Sequence, residues 1–325
     1  MDPDDHSTSE QRIPAISVIM PVHNRASAIE RAVGSVLAQD FPDFELIVVD
    51  DGSSDNSAYL VEAIDDDRVK CIRLAVNKGG NAARNHGLRA ARAPLIAFLD
   101  SDDAFLPHKL GCVARVFAER PEIGMLLDSF IKTYGSGRDR PDVECRNPVL
   151  ESNDKVLEAL FTREIWKATP GVIVRRDAAV RAGLFDEELP RGQDFDFILR
   201  VAAVTRCATT DQILWIKTNS ADSISADLRN FASATIAFYD RHPAFYDNPL
   251  YRRGFAHDLG RHFMRLLRRG KWRAAWRDAV PFARRLGAAR FLGLMFSGSF
   301  RFMARQNRLR RMARKDQAAV SARPV

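Results

Sequence analysis

The stretch Leu95-Ile96-Ala97-Phe98-Leu99-Asp100-Ser101-Asp102-Asp103 organises the reading of everything around it. Its five consecutive apolar residues read as a strand buried on both faces, as in a parallel sheet covered by helices. The strand then runs into three carboxylates within four positions. Like charges this close repel one another, so they are tolerated when solvated or when a cation neutralises them. Oxygen-only ligands suit a hard cation such as Mg²⁺ or Mn²⁺, and Mg²⁺ commonly combines one or two carboxylates with substrate phosphates. Taken alone, an Asp-rich turn is more often a solvated loop before a helix, here the one opened by Pro107. The company this turn keeps points the other way.

Upstream, Ile16 to Val22 reads as a strand leading into His23-Asn24-Arg25. The helix after it carries Ala28, Ile29, Ala32, Val33, Val36 and Leu37 at three- and four-residue spacing. Phe44 to Val49 is a second strand, ending in Asp50-Asp51-Gly52-Ser53-Ser54-Asp55, a turn rich in helix-capping residues. A short helix through Leu60, Val61 and Ile64, a third strand from Val69 to Leu74, the loop Asn77-Lys78-Gly79-Gly80 and a helix from Asn81 to Ala91 complete the run. Strands alternating with helices at this interval predict a parallel sheet built from βαβ units. Polar residues stand at each strand's carboxyl end: His23 and Asn24, Asp50 and Asp51, Asn77, and Asp100 to Asp103. Four such turns in succession describe one composite pocket along a single sheet edge, where open α/β sheets bind ligands.

Downstream, the spacing predicts a helix from Pro107 to Glu119, a strand from Gly124 to Thr133, and a Gly/Pro-rich loop from Tyr134 to Pro148 lying over the site. A short strand Gly171–Val174, a helix Ala178–Ala182 and a final strand Cys207–Lys217 follow. Between these last two, Gly192-Gln193-Asp194-Phe195-Asp196 opens a helix with two acids in its first turn, ordinarily a capping arrangement. From Ile224 onward the pattern is helical.

Composition narrows the class. With 46% hydrophobic and 28% charged residues over 325 positions, the chain reads as globular with ample material for a core. Its net charge of +7 conceals an asymmetry. Arg252 to Lys315 holds 19 Lys/Arg and two acids, Asp258 and Asp278, so the remainder is net negative. An acidic body with a basic tail suits a polyanion or a membrane surface. Cys71, Cys112, Cys145 and Cys207 form no CxxC pair, which argues against a zinc ribbon and fits a reducing cytoplasm. The acidic residues 1–13 read as a disordered N-terminus rather than a signal peptide, and no apolar run is long enough to span a bilayer.

Five segments in order resemble the family 2 glycosyltransferases, inverting enzymes of the GT-A, nucleotide-diphospho-sugar transferase fold. They are Ser17 to Arg25, Glu45 to Asp55, Asn77 to Gly87, Leu99 to Asp103 and Gly192 to Asp196. The resemblance covers roughly residues 14–220. It implies an α/β fold with a GT-A-type, Rossmann-like, mostly parallel sheet flanked by helices. It divides that domain into a nucleotide-sugar half at about 14–105 and an acceptor half at about 106–220, with 221–325 a helical basic C-terminal region.

What the resemblance implies for individual residues is specific. Pro21, His23 and Asn24 line the nucleotide base, Asp51 hydrogen-bonds it, and Arg84 stands beside it with Asn85. Asp100 and Ser101 meet the ribose side of the donor; Asp100 and Asp102 form the DxD pair, with Asp102 directly on Mn²⁺ or Mg²⁺. Asp194 occupies the position of the catalytic base. Two departures stand out: His23 replaces a common Tyr, and Gln193 replaces the usual Glu. The QxxRW signature of processive members is absent after Asp194, which favours a single addition.

The chemistry expected is a single displacement at the anomeric carbon, from a nucleotide-diphospho-sugar donor (UDP-linked by preference) to a hydroxyl of a glycan or glycolipid acceptor. The pathway the resemblance suggests is cell-surface polysaccharide or lipopolysaccharide synthesis, in the cytoplasm or peripherally on the inner face of the membrane. Residues two apart on a helix point about 200° away from each other, so Asp194 and Asp196 should not face the same acceptor. Trp166, Thr169 and Pro170 are candidates for the acceptor pocket, Trp166 equally for packing; His257 and His262 read as helix surface. Trp272, Trp276, Phe282, Phe291, Leu294, Phe296, Phe300 and Met303, interleaved with arginines, fit either an anionic membrane surface or a helical bundle with a solvated basic face. A sugar-nucleotide pyrophosphorylase would need a Gly-rich phosphate loop after its first strand, which Pro21 to Ser27 lacks. A nucleic-acid-binding protein led by the tail would leave the acidic pocket unexplained, so no nucleic acid is expected as partner. No GxGxxG follows a strand, which disfavours a dinucleotide oxidoreductase.

Overall fold

The computed structural model describes residues 12–134, 141–189, 191–218, 231–300 and 303. The disorder expected over residues 1–13 falls almost wholly outside them. The chain divides into two compact units. The first comprises Met1–Val156, Ile165–Glu188 and Gln193–Ser223; the second comprises Leu157–Glu164, Leu189–Gly192 and Ile224–Val325.

The first unit is built on a mostly parallel sheet. Strands β1 (Ile16–Val22), β2 (Phe44–Asp50), β3 (Val69–Arg73) and β4 (Leu95–Phe98) pair in parallel in the order β3-β2-β1-β4. Helices α1 (Ile29–Leu37), α2 (Ser57–Glu62) and α3 (Gly80–Ala90) make the crossovers between them. Every residue of β2 and of β4 is buried, as an uninterrupted apolar run between two helical layers requires. Helix α3 lies so close to β1 that a Cβ on Gly87 would come within 2.5 Å of Ile19 Cγ2.

Beyond β4 the direction changes. β8 (Val172–Arg175) pairs antiparallel with β4 and with β6 (Ile123–Thr133), and β9 (Arg206–Thr218) runs parallel to β6. Two short strands have no counterpart in the sequence reading. β5 (Ala104–Phe105) pairs with β9, and β7 (Val143–Cys145) pairs with β6 within the stretch expected to be loop. Helices α4 (Lys109–Glu119), α6 (Arg176–Arg181) and α7 (Gln193–Val204) complete this unit, and α5 (Asn153–Thr162), also unanticipated, runs from the first unit into the second.

The second unit is helical: α8 (Phe231–Arg241), α9 (Ala244–Asp247), α10 (Arg252–Arg268), α11 (Trp272–Leu286) and a last helical run at 288–300. The last run packs hard on α10, where a Cβ on Gly298 would fall 1.6 Å from the Ala256 carbonyl oxygen. Phe282 and Phe291 stack in the core, with centroids 6.0 Å apart. His262 corrects the expectation of a surface residue. It is 3% exposed, stacks on Phe231 and bonds through Nε2 to Asp278 at 2.8 Å. Among the described residues no helix is long and apolar enough to cross a membrane.

Candidate active site

Because β1, β2 and β4 are parallel neighbours, their carboxyl ends bring three loops together. Asn24 leaves β1 in the left-handed region (φ 52°), a conformation Asn tolerates better than most residues. There its backbone N–H donates to Ser53 Oγ at 3.0 Å and its Oδ1 accepts from the Ser54 N–H at 2.8 Å. His23 Nδ1 lies 3.0 Å from the Asp51 carbonyl oxygen, and its Nε2 lies 3.3 Å from Asn24 Nδ2. A carbonyl on one side and an amide donor on the other select the neutral tautomer with the proton on Nδ1.

Asp51 is buried, and its carboxylate accepts the backbone N–H groups of Lys78 at 2.7 Å and Gly79 at 2.8 Å. This latch fixes the loop that starts α3. It needs glycine at 52, where φ is 67° and a Cβ would sit 2.7 Å from Asn77 N. Helix α3 then presents Arg84, whose guanidinium donates to Asp100 Oδ1 at 2.6 Å and lies over the Phe185 ring at 5.7 Å. Asn85, one residue on, ties down the 185–187 segment. Its Nδ2 donates to the Phe185 carbonyl (2.9 Å) and to Glu187 Oε1 (2.7 Å), and its Oδ1 accepts from Phe185 N–H.

The acidic turn separates its three carboxylates by environment. Asp100 and Asp102 are part-exposed, Ser101 is buried and Asp103 is fully buried. The Asp103 N–H closes the turn onto the Asp100 carbonyl at 3.0 Å. Asp103 Oδ1 accepts the Thr218 N–H at 2.8 Å, while Oδ2 has no hydrogen bond and stands 3.7 Å from Lys217 Nζ. Burial pushes the Asp103 carboxyl up to about 7; Lys217 pulls it back and the charges of Asp100 and Asp102 push it further. Arg31 on α1 clasps both sides, donating to the Asp102 carbonyl and to Thr218 Oγ1.

Lys217 was not anticipated. It stands near the end of β9, and Asp103, Asp100, Asp102 and Asp194 all favour its charged form against the burial that opposes it. A lysine closing the apolar alternation Leu214-Trp215-Ile216 is the same strand-end signal that singled out the acids.

At the start of α7, Asp194 and Asp196 have separate partners. Asp194 Oδ1 accepts the Thr169 hydroxyl at 2.6 Å. Asp196 is buried and paired with Arg200 one turn later, at 2.5 Å. Trp166 is exposed, edge-on to Phe130 at 5.9 Å, with its backbone N–H donated to Asn147 Oδ1 at 2.6 Å.

Asp103 faces Lys217 and keeps one buried oxygen without a hydrogen bond, and Asp100 pairs with Arg84; the carboxylates of Asp100 and Asp102 are oxygen ligands of the kind a divalent cation takes. Among the described residues, no three acidic, His or Cys side chains converge to enclose a metal. Donor phosphates and water would therefore supply the remaining ligands.

Comparison with known proteins was made on this basis. The model described as "Glycosyl transferase family 2" matches residues 17–176. The uncharacterized glycosyltransferase EpsJ of Bacillus subtilis is 31% identical over 248 residues, covering 71% of this chain and 71% of EpsJ. The UDP-Glc:alpha-D-GlcNAc-diphosphoundecaprenol beta-1,3-glucosyltransferase WfgD of Escherichia coli is 42% identical over 95 residues, 29% of this chain and 38% of WfgD. The chain spans about half the length of other curated relatives it matches (51% and 47%). In fold it is similar to residues 1–349 of S. aureus TarS, solved with UDP-GlcNAc: TM-score 0.58, 20% identity, covering 84% of this chain and 92% of that one.

Proposed function

The chain belongs to glycosyltransferase family 2, and on that footing we propose that it transfers a single sugar, with inversion, from a UDP-sugar to a hydroxyl of a lipid-linked or polysaccharide acceptor. The observation that carries this reading is the strand-end cluster in which Asp103 Oδ2 stands 3.7 Å from Lys217 Nζ and Asp100 pairs with Arg84 at 2.6 Å, with Asp102 and Asp194 also favouring the charge on Lys217. It ties the acidic turn and the acid at the start of α7 into one electrostatic site. The similarity to WfgD, a transferase from UDP-Glc to an undecaprenol-linked acceptor, supports the donor and acceptor classes.

Pro21, His23, Asn24 and Asp51, with Arg84 beside them, make the base end of the donor site, and Asp100 with Ser101 the end nearer the ribose. Asp100 and Asp102 would hold Mn²⁺ or Mg²⁺. A bound divalent cation supplies charge neutralisation to the departing diphosphate. Lys217 adds a fixed positive charge beside the same acids. Asp194 accepts the proton of the attacking hydroxyl as the new bond forms between acceptor oxygen and anomeric carbon. The bond from that carbon to the diphosphate oxygen breaks, and its electron pair leaves with the nucleotide.

The second unit supports work at an anionic membrane on its cytoplasmic face. Trp272 and Trp276 are exposed one turn apart on α11, and Leu292, Phe296 and Phe300 are exposed at four-residue intervals on the last helical run. Phe291, Leu294 and Gly298 of the same run are buried. Bundle packing and an outward aromatic surface therefore coexist, and arginines flank the aromatics as they do in interfacial helices.

The test is a donor screen. With Mn²⁺ present, nucleoside diphosphate release from UDP-sugars should exceed that from GDP- and dTDP-sugars. Release of pyrophosphate from a nucleoside triphosphate and a sugar phosphate, with no turnover of any nucleotide sugar, would favour a pyrophosphorylase instead.

A further inference from the structure

We propose that Thr169 is a positioning residue for Asp194, and that the buried Lys109–Asp128 pair fixes the turn that carries it; this rests on the reading of Asp194 as the base.

Thr169 opens a 3-10 turn, Thr169–Gly171, immediately before β8. Its side chain is buried at 1% exposure, and its hydroxyl donates to Asp194 Oδ1 at 2.6 Å. A base with one oxygen tied in this way offers the other to the acceptor hydroxyl in a set orientation. Unheld, it would rotate about its last torsion, which is broad for a carboxylate.

The turn is itself held from beneath. Lys109 Nζ donates to the Pro170 carbonyl at 3.0 Å and pairs with the Asp128 carboxylate, both side chains being fully buried. Trp215 Nε1 donates to the other Asp128 oxygen at 2.9 Å. A Cβ at Gly171 would come within 3.0 Å of Asp128 Oδ1 and 3.2 Å of Trp215 Nε1, so the turn sits directly on this network. A fully buried ion pair is poor evidence for stability, because desolvating both charges costs about as much as their attraction returns. Its geometry is the informative part. One lysine donates both to the acid that Gly171 packs against and to the carbonyl that follows Thr169.

The experiment compares Thr169→Val, which keeps the shape and removes the hydroxyl, with Thr169→Ser, which keeps the hydroxyl. Steady-state kcat and donor KM are measured in Mn²⁺ with the best wild-type donor among UDP-glucose, UDP-GlcNAc, UDP-galactose and GDP-mannose. Losing a hydrogen bond to a charged group should lower kcat about tenfold or more in the Val variant, with donor KM within about twofold and Ser restoring most of the rate. A double variant, Lys109→Met with Asp128→Leu, replaces the pair by apolar groups; it should fold and still lose kcat. Wild-type kcat in Thr169→Val, or a Ser variant as slow as Val, would overturn the proposal, as would wild-type kcat in the double variant. Full activity of Asp194→Asn, measured alongside, would instead remove the base assignment. A wild type inert toward all four donors would remove the functional reading, and the positioning role with it.

Discussion

Asp194 and Asp196 are two residues apart on α7, and they have different partners. Asp194 meets the Thr169 hydroxyl, whereas Asp196 is enclosed with Arg200. Asp194→Asn should therefore bind the donor nucleotide normally in Mn²⁺ and transfer sugar more slowly by a factor of about 10²–10⁴, the usual loss for a general base. Asp196→Asn should keep most of its turnover and lose thermal stability instead, because it leaves Arg200 without its carboxylate. Paired donor isotherms, initial rates and melting curves check both, and a dead Asp196→Asn beside an active Asp194→Asn would reverse the assignment. At this scale the strand-end acids were legible, since the apolar runs that stop at Asp50 and Asp100 mark polar strand ends from sequence alone. Thr169 and Lys217 were not legible as partners. Their acids lie 25 and about 115 residues away along the chain, a pairing that only the folded sheet creates. The same holds for Asn85, whose motif suggested the donor while its amide reaches across 100 residues to Phe185.

At the scale of elements, the strongly periodic segments declared themselves and the short ones did not. β1, β2, β4 and α7 follow from apolar runs and stripes. β5 is two residues long, too short to show an alternation, and β7 hides in a stretch whose Gly, Pro and charges read as loop. The pairing of α10 with α11 carries a pH signature of its own. Burial draws His262 down to about 4; Asp278 opposes this, and Arg265 and Arg191 add to it. The unfolded histidine, with its ordinary value near 6.5, binds protons between those limits more readily than the folded one. The contribution of His262 to stability is thus fully present above about pH 6.5 and is lost as the pH drops toward 4, by an amount on the order of 3 kcal/mol; the raised Asp103 carboxyl acts in the opposite sense. Urea titrations at pH 7 and pH 4.5 should show wild type losing more stability on acidification than His262→Phe, the difference being the histidine's share. An equal pH dependence in that variant would move the cause elsewhere.

At the scale of the whole molecule, charge is divided between the two units. The only two acids between Arg252 and Lys315 are internally engaged, Asp258 with Arg163 and Asp278 with His262 and Arg277. The basic field of the second unit is therefore little offset from within. Trp272→Ser with Trp276→Ser, or Phe296→Ser with Phe300→Ser, should weaken sedimentation with vesicles rich in phosphatidylglycerol. Transfer to a soluble acceptor should be unchanged, because these side chains are exposed on the second unit. Undiminished vesicle binding by both pairs would leave the aromatic surface without a membrane role.

If Asp102 and its neighbours hold the donor through a divalent cation, as proposed, turnover depends on both the metal and that carboxylate. Sugar transfer from the preferred donor is measured for wild type in Mn²⁺, for wild type in excess EDTA, and for Asp102→Asn in Mn²⁺, with a melting curve for each sample. Turnover is expected in the first and its near-complete loss in the other two, with folding intact because buried β4 rather than the turn supplies the stability. Full turnover by Asp102→Asn, or by the chelated wild type, would contradict it.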